Sequence, residues 1–211
     1  MSSTVDDWIV IVPVKPSAIG KSRLDGAGVD RAELARAIAL DTIEAASAAR
    51  GVAAVIVVTD DAGVGAAAAQ FPRVRVIPEG TERGLNAALS TGAAAAGEHA
   101  PRAALLGDLP ALRGDDLAVA LEAAASVDRS VVADAEGTGS TLVTARAGTV
   151  WQAAFGPDSF ARHTELGCVP LTVAHASTLR RDVDTSAQLE AAAGLGLGAR
   201  TAGVLAARRS A

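Results

Sequence analysis

The sequence predicts an α/β fold: a single Rossmann-like domain with a mostly parallel central sheet flanked by helices and extra mixed strands in its C-terminal half. Apolar runs of strand length alternate with alanine-rich helical stretches over residues 9–125. Of the 211 residues, 50% are hydrophobic but only 2% are aromatic. The core must therefore consist of Val, Leu, Ile and Ala, a composition that suits a parallel sheet covered by helices.

Four strands and four helices are predicted in alternation in the first part of the chain. The predicted strands are 9–14, 52–59, 74–77 and 103–106, and the predicted helices are 31–49, 63–70, 85–96 and 115–125. This β-α-β-α order favours parallel pairing through right-handed crossovers. Such sheets bind ligands beyond the carboxyl ends of their strands, so the residues that follow each strand are the candidates for a site.

From residue 130 onward the pattern changes to short β-rich pieces. These are 130–133, 140–145, 169–174 and 178–182, with a Gly/Pro-bearing segment at 155–163. A final helix is predicted at 186–193, and we expect the glycine-rich tail after it to be loosely held. The second half is therefore expected to add mixed strands to the same domain.

Composition and charge exclude several classes of protein. The formal net charge of -5 leaves no basic excess to bind nucleic acid or an anionic membrane surface. The single cysteine, Cys168, excludes an internal disulfide and suits a reducing cytosol. No apolar run reaches the roughly 20 residues of a membrane span, and residues 1–7 are too polar for a signal peptide. We therefore expect a cytoplasmic protein.

The first candidate for chemistry is the segment VPVKPSAIGKSRL, residues 12–24. Its letters GKS suggest a Walker A loop, but that motif needs its first glycine at the position where Lys15 stands. A lysine cannot form the backbone cradle that glycine permits. The side chains of Lys15, Lys21 and Arg23 can instead hold a polyphosphate. The alternative is a solvated basic loop.

Acidic residues follow two of the later predicted strands. Asp108, in LLGDLP, leaves a hydrophobic strand, and its carboxylate is a candidate ligand for Mg2+. Its alternative role is a helix cap or a turn. Asp182 and Asp184 end the last predicted strand and can complete the same metal site. Their alternative role is capping of the helix at 186–193, by Asp184 or by Thr185.

The loop after the third strand is a candidate base-binding site. The Glu79 carboxylate can accept hydrogen bonds from N1–H and the exocyclic amine of guanine. The backbone at Gly84 and the amide of Asn86 can reach the base or the ribose. Thr59 and Asp60 follow the neighbouring strand. The alternative is an ordinary solvated loop that leads into a helix.

Together these segments resemble the small phosphoenolpyruvate/2-phospholactate guanylyltransferase branch of the nucleotide-diphospho-sugar transferase superfamily. The similarity covers nearly the whole chain. It is carried by VPVK…GKSRL, VVTD at 57–60, RGLNAAL at 83–89, LLGDLPAL at 105–112, GTGST at 137–141, FGPDSFARH at 155–163 and DVDT at 182–185. LLGDLP occurs across many nucleotidyltransferases, whereas FGPDSFARH followed by DVDT is specific to the branch.

The resemblance implies an enzyme that uses GTP, Mg2+ and a small phosphorylated three-carbon acid in the biosynthesis of the deazaflavin coenzyme F-420. It implies a GTP-binding half at about 8–128 and an acceptor-binding half at about 129–200. Lys15, Lys21 and Arg23 would hold the triphosphate, Asp108, Asp182 and Asp184 the metal, and Thr141, Gly156 and Ser159 the phosphoenolpyruvate. A monomer or homodimer is expected, with the downstream deazaflavin transferase as a further partner.

Two residues of the FGPDSFARH segment carry additional expectations. Ser159 is expected to open a short helix whose free N–H groups favour an anion. His163 is interpreted as a surface or helix-end histidine rather than a catalytic acid.

Several functions stay open from the sequence. The acceptor can be phosphoenolpyruvate, 2-phospholactate or 3-phosphoglycerate. A molybdopterin guanylyltransferase or a sugar-phosphate cytidylyltransferase would share the fold. A glycosyltransferase would carry its D-x-D pattern after a mid-chain strand, whereas here it occurs only at 182–184. A non-catalytic nucleotide-binding module would bind GTP without releasing pyrophosphate.

Overall fold

The computed structural model describes residues 7–15 and 30–209, and its strands form one seven-stranded sheet. The strands are β1 (Trp8–Pro13), β2 (Val52–Val58), β3 (Val74–Ile77), β4 (Arg102–Leu105), β5 (Arg129–Ala133), β6 (Ser140–Ala145) and β7 (Val169–Pro170). Their order is β3-β2-β1-β4-β6-β5-β7. Within the described residues, β6 alone runs antiparallel to its neighbours. The predicted fold class, with a mostly parallel sheet and mixed strands in the second half, is confirmed.

Helices cover both faces of this sheet. They are α1 (Arg31–Ala48), α2 (Ala62–Ala68), α3 (Leu85–Ala96), α4 (Gly114–Ala124), α5 (Ser159–Glu165), α6 (Ser186–Ala193) and α7 (Ala199–Arg209). Alternate residues of β1 point to opposite faces, so Val10 and Val12 pack in the cluster that contains α1 and α4, and Ile11 packs with α3. In the described part of the chain, no helix combines the length and the hydrophobicity that a membrane crossing needs.

Two strands predicted near the C-terminus are wrong in extent or in type. β7 covers only the first part of the strand expected at 169–174, and the strand expected at 178–182 is instead a 3-10 helix, Thr178–Arg180. Asp116 Oδ2 accepts from the N–H and from the hydroxyl of Thr178, at 2.6 Å each. The Ser177 hydroxyl accepts from the N–H of Leu179 at 3.3 Å. These side-chain bonds occupy N–H groups that a strand would offer to its neighbour.

The loosely held tail is also a wrong prediction, because its residues form α7, which packs along α1. The carboxylate of Asp41, on α1, is buried and accepts from the backbone N–H groups of Arg200 at 3.1 Å and Thr201 at 2.8 Å. The N–H of Gly198 donates to the carbonyl of Pro110 at 2.7 Å. A carboxylate at the start of a helix satisfies N–H groups that have no partner within the helix. Asp41 therefore docks the last helix.

Candidate functional site

The carboxyl ends of the strands open onto a cavity of about 760 Å3. β1, β4 and β5 end at this edge of the sheet, and β6 begins there because it runs in the opposite direction. The predicted site residues that line the cavity are Lys15, Asp108, Gly156, Ser159, Asp182 and Asp184. Residues that are distant in the sequence thus meet where strand ends are expected to bind ligands.

The cavity contains a group of aspartates that repel one another. Burial raises the pKa of Asp182 to about 8, together with the negative charges of neighbouring carboxylates. In order of their effect, these neighbours are Asp108, Asp134 and Asp184. The Oδ1 atom of Asp182 is buried and has no hydrogen-bond partner among the described residues. Carboxylates held this close favour a proton or a cation between them.

Asp134 belongs to this group and was missed in the sequence. Its carboxylate accepts from three successive N–H groups of the β5–β6 turn, at 2.6 Å (Gly137), 3.0 Å (Thr138) and 2.7 Å (Gly139). A Cβ at Gly139 would lie 2.3 Å from Asp134 Oδ2, so only glycine fits this close approach. A detectable signal existed, because Asp134 directly follows the strand predicted at 130–133 and so obeys the strand-end rule.

The acidic residues of this edge suit a divalent cation. Asp134, Glu136 and Asp182 each bring one carboxylate oxygen within 4.8 Å of the others. This set shares Asp182 with the predicted metal ligands, whose other members, Asp108 and Asp184, line the same cavity. Hard cations such as Mg2+ prefer carboxylate oxygens. The donor set is therefore appropriate for the ion that the sequence predicts.

The sequence offers Asp184 or Thr185 as the cap of α6, and the structure shows that Thr185 is the cap. Its hydroxyl accepts from the N–H of Gln188 at 3.3 Å, and the Gln188 side chain accepts from the N–H of Thr185 at 3.0 Å. This reciprocal pair is a capping box, which satisfies the first turn of a helix without a carboxylate. Asp184 is therefore not the cap of α6.

The residues of 155–159 form a second wall of the cavity, and α5 begins at Ser159 as predicted. The expectation of free N–H groups at this helix start is wrong for its first two residues. The N–H of Ser159 donates to the carbonyl of Gly156, and the N–H of Phe160 donates to the carbonyl of Thr138, both at 3.1 Å. These two N–H groups are therefore occupied by backbone carbonyls, whereas the Ser159 hydroxyl and the backbone around Gly156 stay candidates for a ligand contact.

Thr141, the third predicted acceptor residue, lies in β6 and is fully buried. Its hydroxyl has no hydrogen-bond partner among the described residues. Its neighbour Ser140 lines the cavity, whereas Thr141 does not. Buried hydroxyl groups are normally hydrogen-bonded, so an unsatisfied one beside a cavity is a candidate for a ligand contact.

His163 is a buried histidine rather than the surface residue expected from the sequence. Its Nε2 accepts from the N–H of Ala154 at 2.8 Å, so the proton of the neutral ring is on Nδ1, which lies 3.0 Å from the hydroxyl of Ser140. Burial lowers the pKa of His163 to about 4, and the positive charge of Arg162 lowers it too. His163 therefore joins α5, β6 and the cavity wall as a neutral side chain.

We expect His163 to make stability depend on pH. The unfolded chain takes up a proton near the ordinary pKa of 6.5, whereas the folded protein resists it until about pH 4, so the contribution of His163 to stability falls as pH falls through this window. Asp182, whose pKa is raised, contributes with the opposite sign. The measurement is the free energy of unfolding by urea at several pH values between 4 and 6.5. His163→Gln should remove this contribution, so that its stability falls less than the parent's, or rises, as pH falls, whereas His99→Gln, at an exposed site, should keep the parent's slope. Equal slopes in all three proteins would contradict the assignment.

The residues predicted to contact the base lie at the same edge of the sheet but outside the cavity lining. The Thr59 hydroxyl accepts from the N–H of Asp61 at 3.0 Å. Asp60 accepts from the N–H of Glu79 at 3.0 Å and pairs with Arg83, whose guanidinium holds the pKa of Asp60 below its usual value. Arg83 also lies 3.5 Å from the Glu79 carboxylate. This network ties the loop after β3 to the end of β2.

The other predicted nucleotide ligands have different surroundings. Gly84, at a φ of 114°, precedes the first turn of α3 and is exposed. The side-chain amide of Asn86 is hydrogen-bonded to the backbone of Phe155. Lys21 and Arg23 lie outside the described residues.

Comparisons with known proteins show the family to which this chain belongs. The family described as guanylyl transferase CofC like matches residues 8–183. The chain belongs to this family. A relative from Thermomonospora curvata named phosphoenolpyruvate guanylyltransferase is 48% identical, covering 94% of this chain and 89% of the relative. A relative of the same name from Streptomyces scabiei is 47% identical, covering 92% and 94%.

Solved structures agree on the fold of this guanylyltransferase family member. The 4-diphosphocytidyl-2C-methyl-D-erythritol synthase of Anaerococcus prevotii superposes with a TM-score of 0.62 at 10% identity, covering 90% of this chain and 96% of the other. A nucleotidyl transferase from Methanothermobacter gives 0.58 at 20% identity, covering 90% and 98%. At these identities, the likeness establishes the nucleotidyltransferase fold alone.

Proposed function

We propose that the protein transfers GMP from GTP to the phosphate of phosphoenolpyruvate, releasing pyrophosphate and giving enolpyruvyl-diphospho-guanosine for deazaflavin coenzyme F-420 biosynthesis. The names of relatives at 48% and 47% identity support this activity. The observation that carries it is a single cavity with Lys15 and Asp108 on one wall and Gly156 and Ser159 on the other. Such a cavity can hold a nucleotide beside a second phosphorylated substrate.

In the proposed reaction, an oxygen of the acceptor's phosphate attacks the α-phosphorus of GTP, and the bond from that phosphorus to pyrophosphate breaks. A phosphate monoester is already ionised near pH 7, so no strong general base is needed. The neutral His163, with both ring nitrogens in hydrogen bonds, is consistent with that requirement. The protein must align two polyanions and neutralise their charge. Lys15 is proposed to do so with Lys21 and Arg23.

We propose that Asp108, Asp182 and Asp184 hold Mg2+, with Asp134 as an additional ligand. The buried Oδ1 of Asp182, which has no hydrogen-bond partner among the described residues, supports a cation at this position. When bound, the ion would offset negative charge on the reacting phosphates. Thr59, Asp60, Glu79 and Gly84 stay proposed contacts of the guanosine.

A partly buried arginine supports an anionic acceptor at the Gly156 wall. The Nε and Nη2 atoms of Arg162 are buried without hydrogen-bond partners in the described part of the chain. A Cβ at Gly156, where φ is +128°, would lie 3.0 Å from this Nη2. A guanidinium with two buried nitrogens that lack an acceptor favours negative charge nearby. The phosphate or carboxylate of the acceptor can supply that charge.

The test is a product assay with GTP, MgCl2 and, separately, phosphoenolpyruvate, 2-phospholactate and 3-phosphoglycerate. The expected result is pyrophosphate release and a guanylylated phosphoenolpyruvate of the correct mass. ATP and CTP in place of GTP test for other nucleotidyltransferases, and a GDP-sugar tests for glycosyl transfer. Binding of GTP without pyrophosphate release for any acceptor would indicate a non-catalytic module and contradict the proposal.

Thr141→Val is expected to raise the acceptor KM roughly 10- to 150-fold, because hydrogen bonds to charged groups contribute about 1.5–3 kcal/mol. The fold should persist, since valine has nearly the same shape and the hydroxyl has no partner among the described residues. The control is Thr144→Val in the same strand, whose hydroxyl lies 2.6 Å from that of Ser130. It should lower stability without raising KM. An unchanged acceptor KM in Thr141→Val would exclude the contact.

We also propose four further properties of the protein. They are the division into a GTP-binding half at 8–128 and an acceptor-binding half at 129–200, a cytoplasmic location, a monomeric or homodimeric state, and contact with a downstream deazaflavin transferase.

A further inference from the structure

The side chain of Asn86 connects two parts of the chain that are 69 residues apart. Its Nδ2 donates to the carbonyl of Phe155 at 3.0 Å, and its Oδ1 accepts from the N–H of Phe155 at 2.9 Å. The amide thus binds the backbone of one residue on both sides, as a neighbouring strand would. This pair of bonds fixes both the position and the orientation of the Phe155 peptide groups.

The segment that Asn86 holds has no regular structure of its own. Residues 151–155 belong to neither helix nor strand, and they lead directly to Gly156 in the cavity wall. The preceding N–H, that of Ala154, donates to His163 Nε2 at 2.8 Å. Consecutive residues are therefore held by two different helices, Ala154 by α5 and Phe155 by α3. Loops without backbone partners depend on such side-chain bonds for their geometry.

Asn86 lies next to the nucleotide side of the cavity as well. The preceding residue, Leu85, is the first of α3 and lines the cavity. The Asn86 amide therefore links the first turn of α3 to the segment that leads into the wall at Gly156. The same amide cannot turn toward a guanine base without giving up both bonds to Phe155.

We propose that Asn86 is a positioning residue that sets the acceptor wall of the cavity from α3, and that it is not a ligand of the nucleotide. This inference rests on the proposed guanylyltransferase function for its kinetic consequences. Its structural part, that Asn86 holds the segment at 154–156, stands independently of any activity.

Asn86→Ala should therefore separate the two substrates. The acceptor KM is expected to rise roughly 10-fold or more, because two hydrogen bonds that orient the wall are lost. The Kd for GTP, measured by calorimetry, should stay within about 2-fold of the parent. Hydrogen exchange of the Phe155 amide should become faster, because its acceptor is removed. The matched control is Ser90→Ala, at an exposed position of the same helix, which should change none of these.

Each alternative gives a different result. A weaker GTP Kd with an unchanged acceptor KM would make Asn86 a nucleotide ligand and overturn the proposal. Equal losses for both substrates with a lower free energy of unfolding would make its role merely structural, which also overturns it. If the parent yields no product from GTP and phosphoenolpyruvate, the proposed function fails. The exchange rate at Phe155 would still decide whether Asn86 holds the wall, and an unchanged rate would overturn that assignment.

Discussion

Asp108→Asn is expected to lower turnover by about 100-fold or more at saturating Mg2+, because a metal-bound carboxylate contributes charge that an amide cannot replace. Asp108 follows β4 and lines the cavity beside Asp182. After burial, its negative charge has the largest effect of the neighbouring carboxylates in raising the pKa of Asp182. The measurement is the rate of pyrophosphate release from GTP and phosphoenolpyruvate over a titration of MgCl2.

The same substitution should not destabilise the protein. Asparagine has nearly the shape of aspartate, and removal of one negative charge relieves the repulsion at Asp182. In the absence of Mg2+, the free energy of unfolding should therefore equal or exceed that of the parent, a common trade at functional sites. The control is Asp115→Asn, at an exposed position in the first turn of α4. Near-normal turnover would contradict the metal assignment, and a free energy of unfolding below the parent's would contradict the expected relief of repulsion.

The strand-end rule predicted the core of this site because the carboxyl ends of parallel strands share one edge of the sheet. Lys15 and Asp108 follow apolar strands that are visible in the sequence, and both line the cavity. Asp134 obeys the same rule but was missed, because the direction of β5 depends on its pairing with β6. Its position directly after a predicted strand was a signal, but the direction of that strand, and so the edge of the sheet at which Asp134 lies, follows only from the pairing.

Side-chain bonds to distant backbone explain most of what could not be predicted. The amide of Asn86 and the ring of His163 both hold the segment at 154–155. No periodic pattern of residues in the sequence predicts either contact. From the sequence, His163 is interpreted as a surface or helix-end residue and Asn86 as a contact of the base or the ribose. Their actual roles depend on burial, which is decided by the packing of α3 and α5 against the sheet.

The C-terminal helix is a similar case. A glycine-rich segment at 194–198 precedes α7 and indicates a loose tail. A Cβ at Gly198 would lie 2.3 Å from the Asp41 carboxyl carbon, so the glycine there permits close packing on α1. The partner, Asp41, is a charged residue in the middle of a helix, where sequence reasoning places it in solvent.

Asp41→Ala is therefore expected to have the largest effect on stability of the substitutions considered, about 2–4 kcal/mol in the free energy of unfolding. The change removes a buried carboxylate and leaves the N–H groups of Arg200 and Thr201 without their acceptor. Urea unfolding measures the total effect. If α7 detaches before the rest unfolds, hydrogen exchange should show lost protection in α7 alone.

Glu44→Ala is the matched control, since it acts on the same arginine from the same helix. Glu44 Oε2 lies 2.6 Å from Arg200 Nη1, but its side chain is 50% exposed, whereas that of Asp41 is 2% exposed. An exposed ion pair contributes at most about 1 kcal/mol, because water screens it. Glu44→Ala should therefore cost well under half of what Asp41→Ala costs. Similar losses in the two variants would mean that α7 is held by its surface charge pair, and that the buried carboxylate is dispensable.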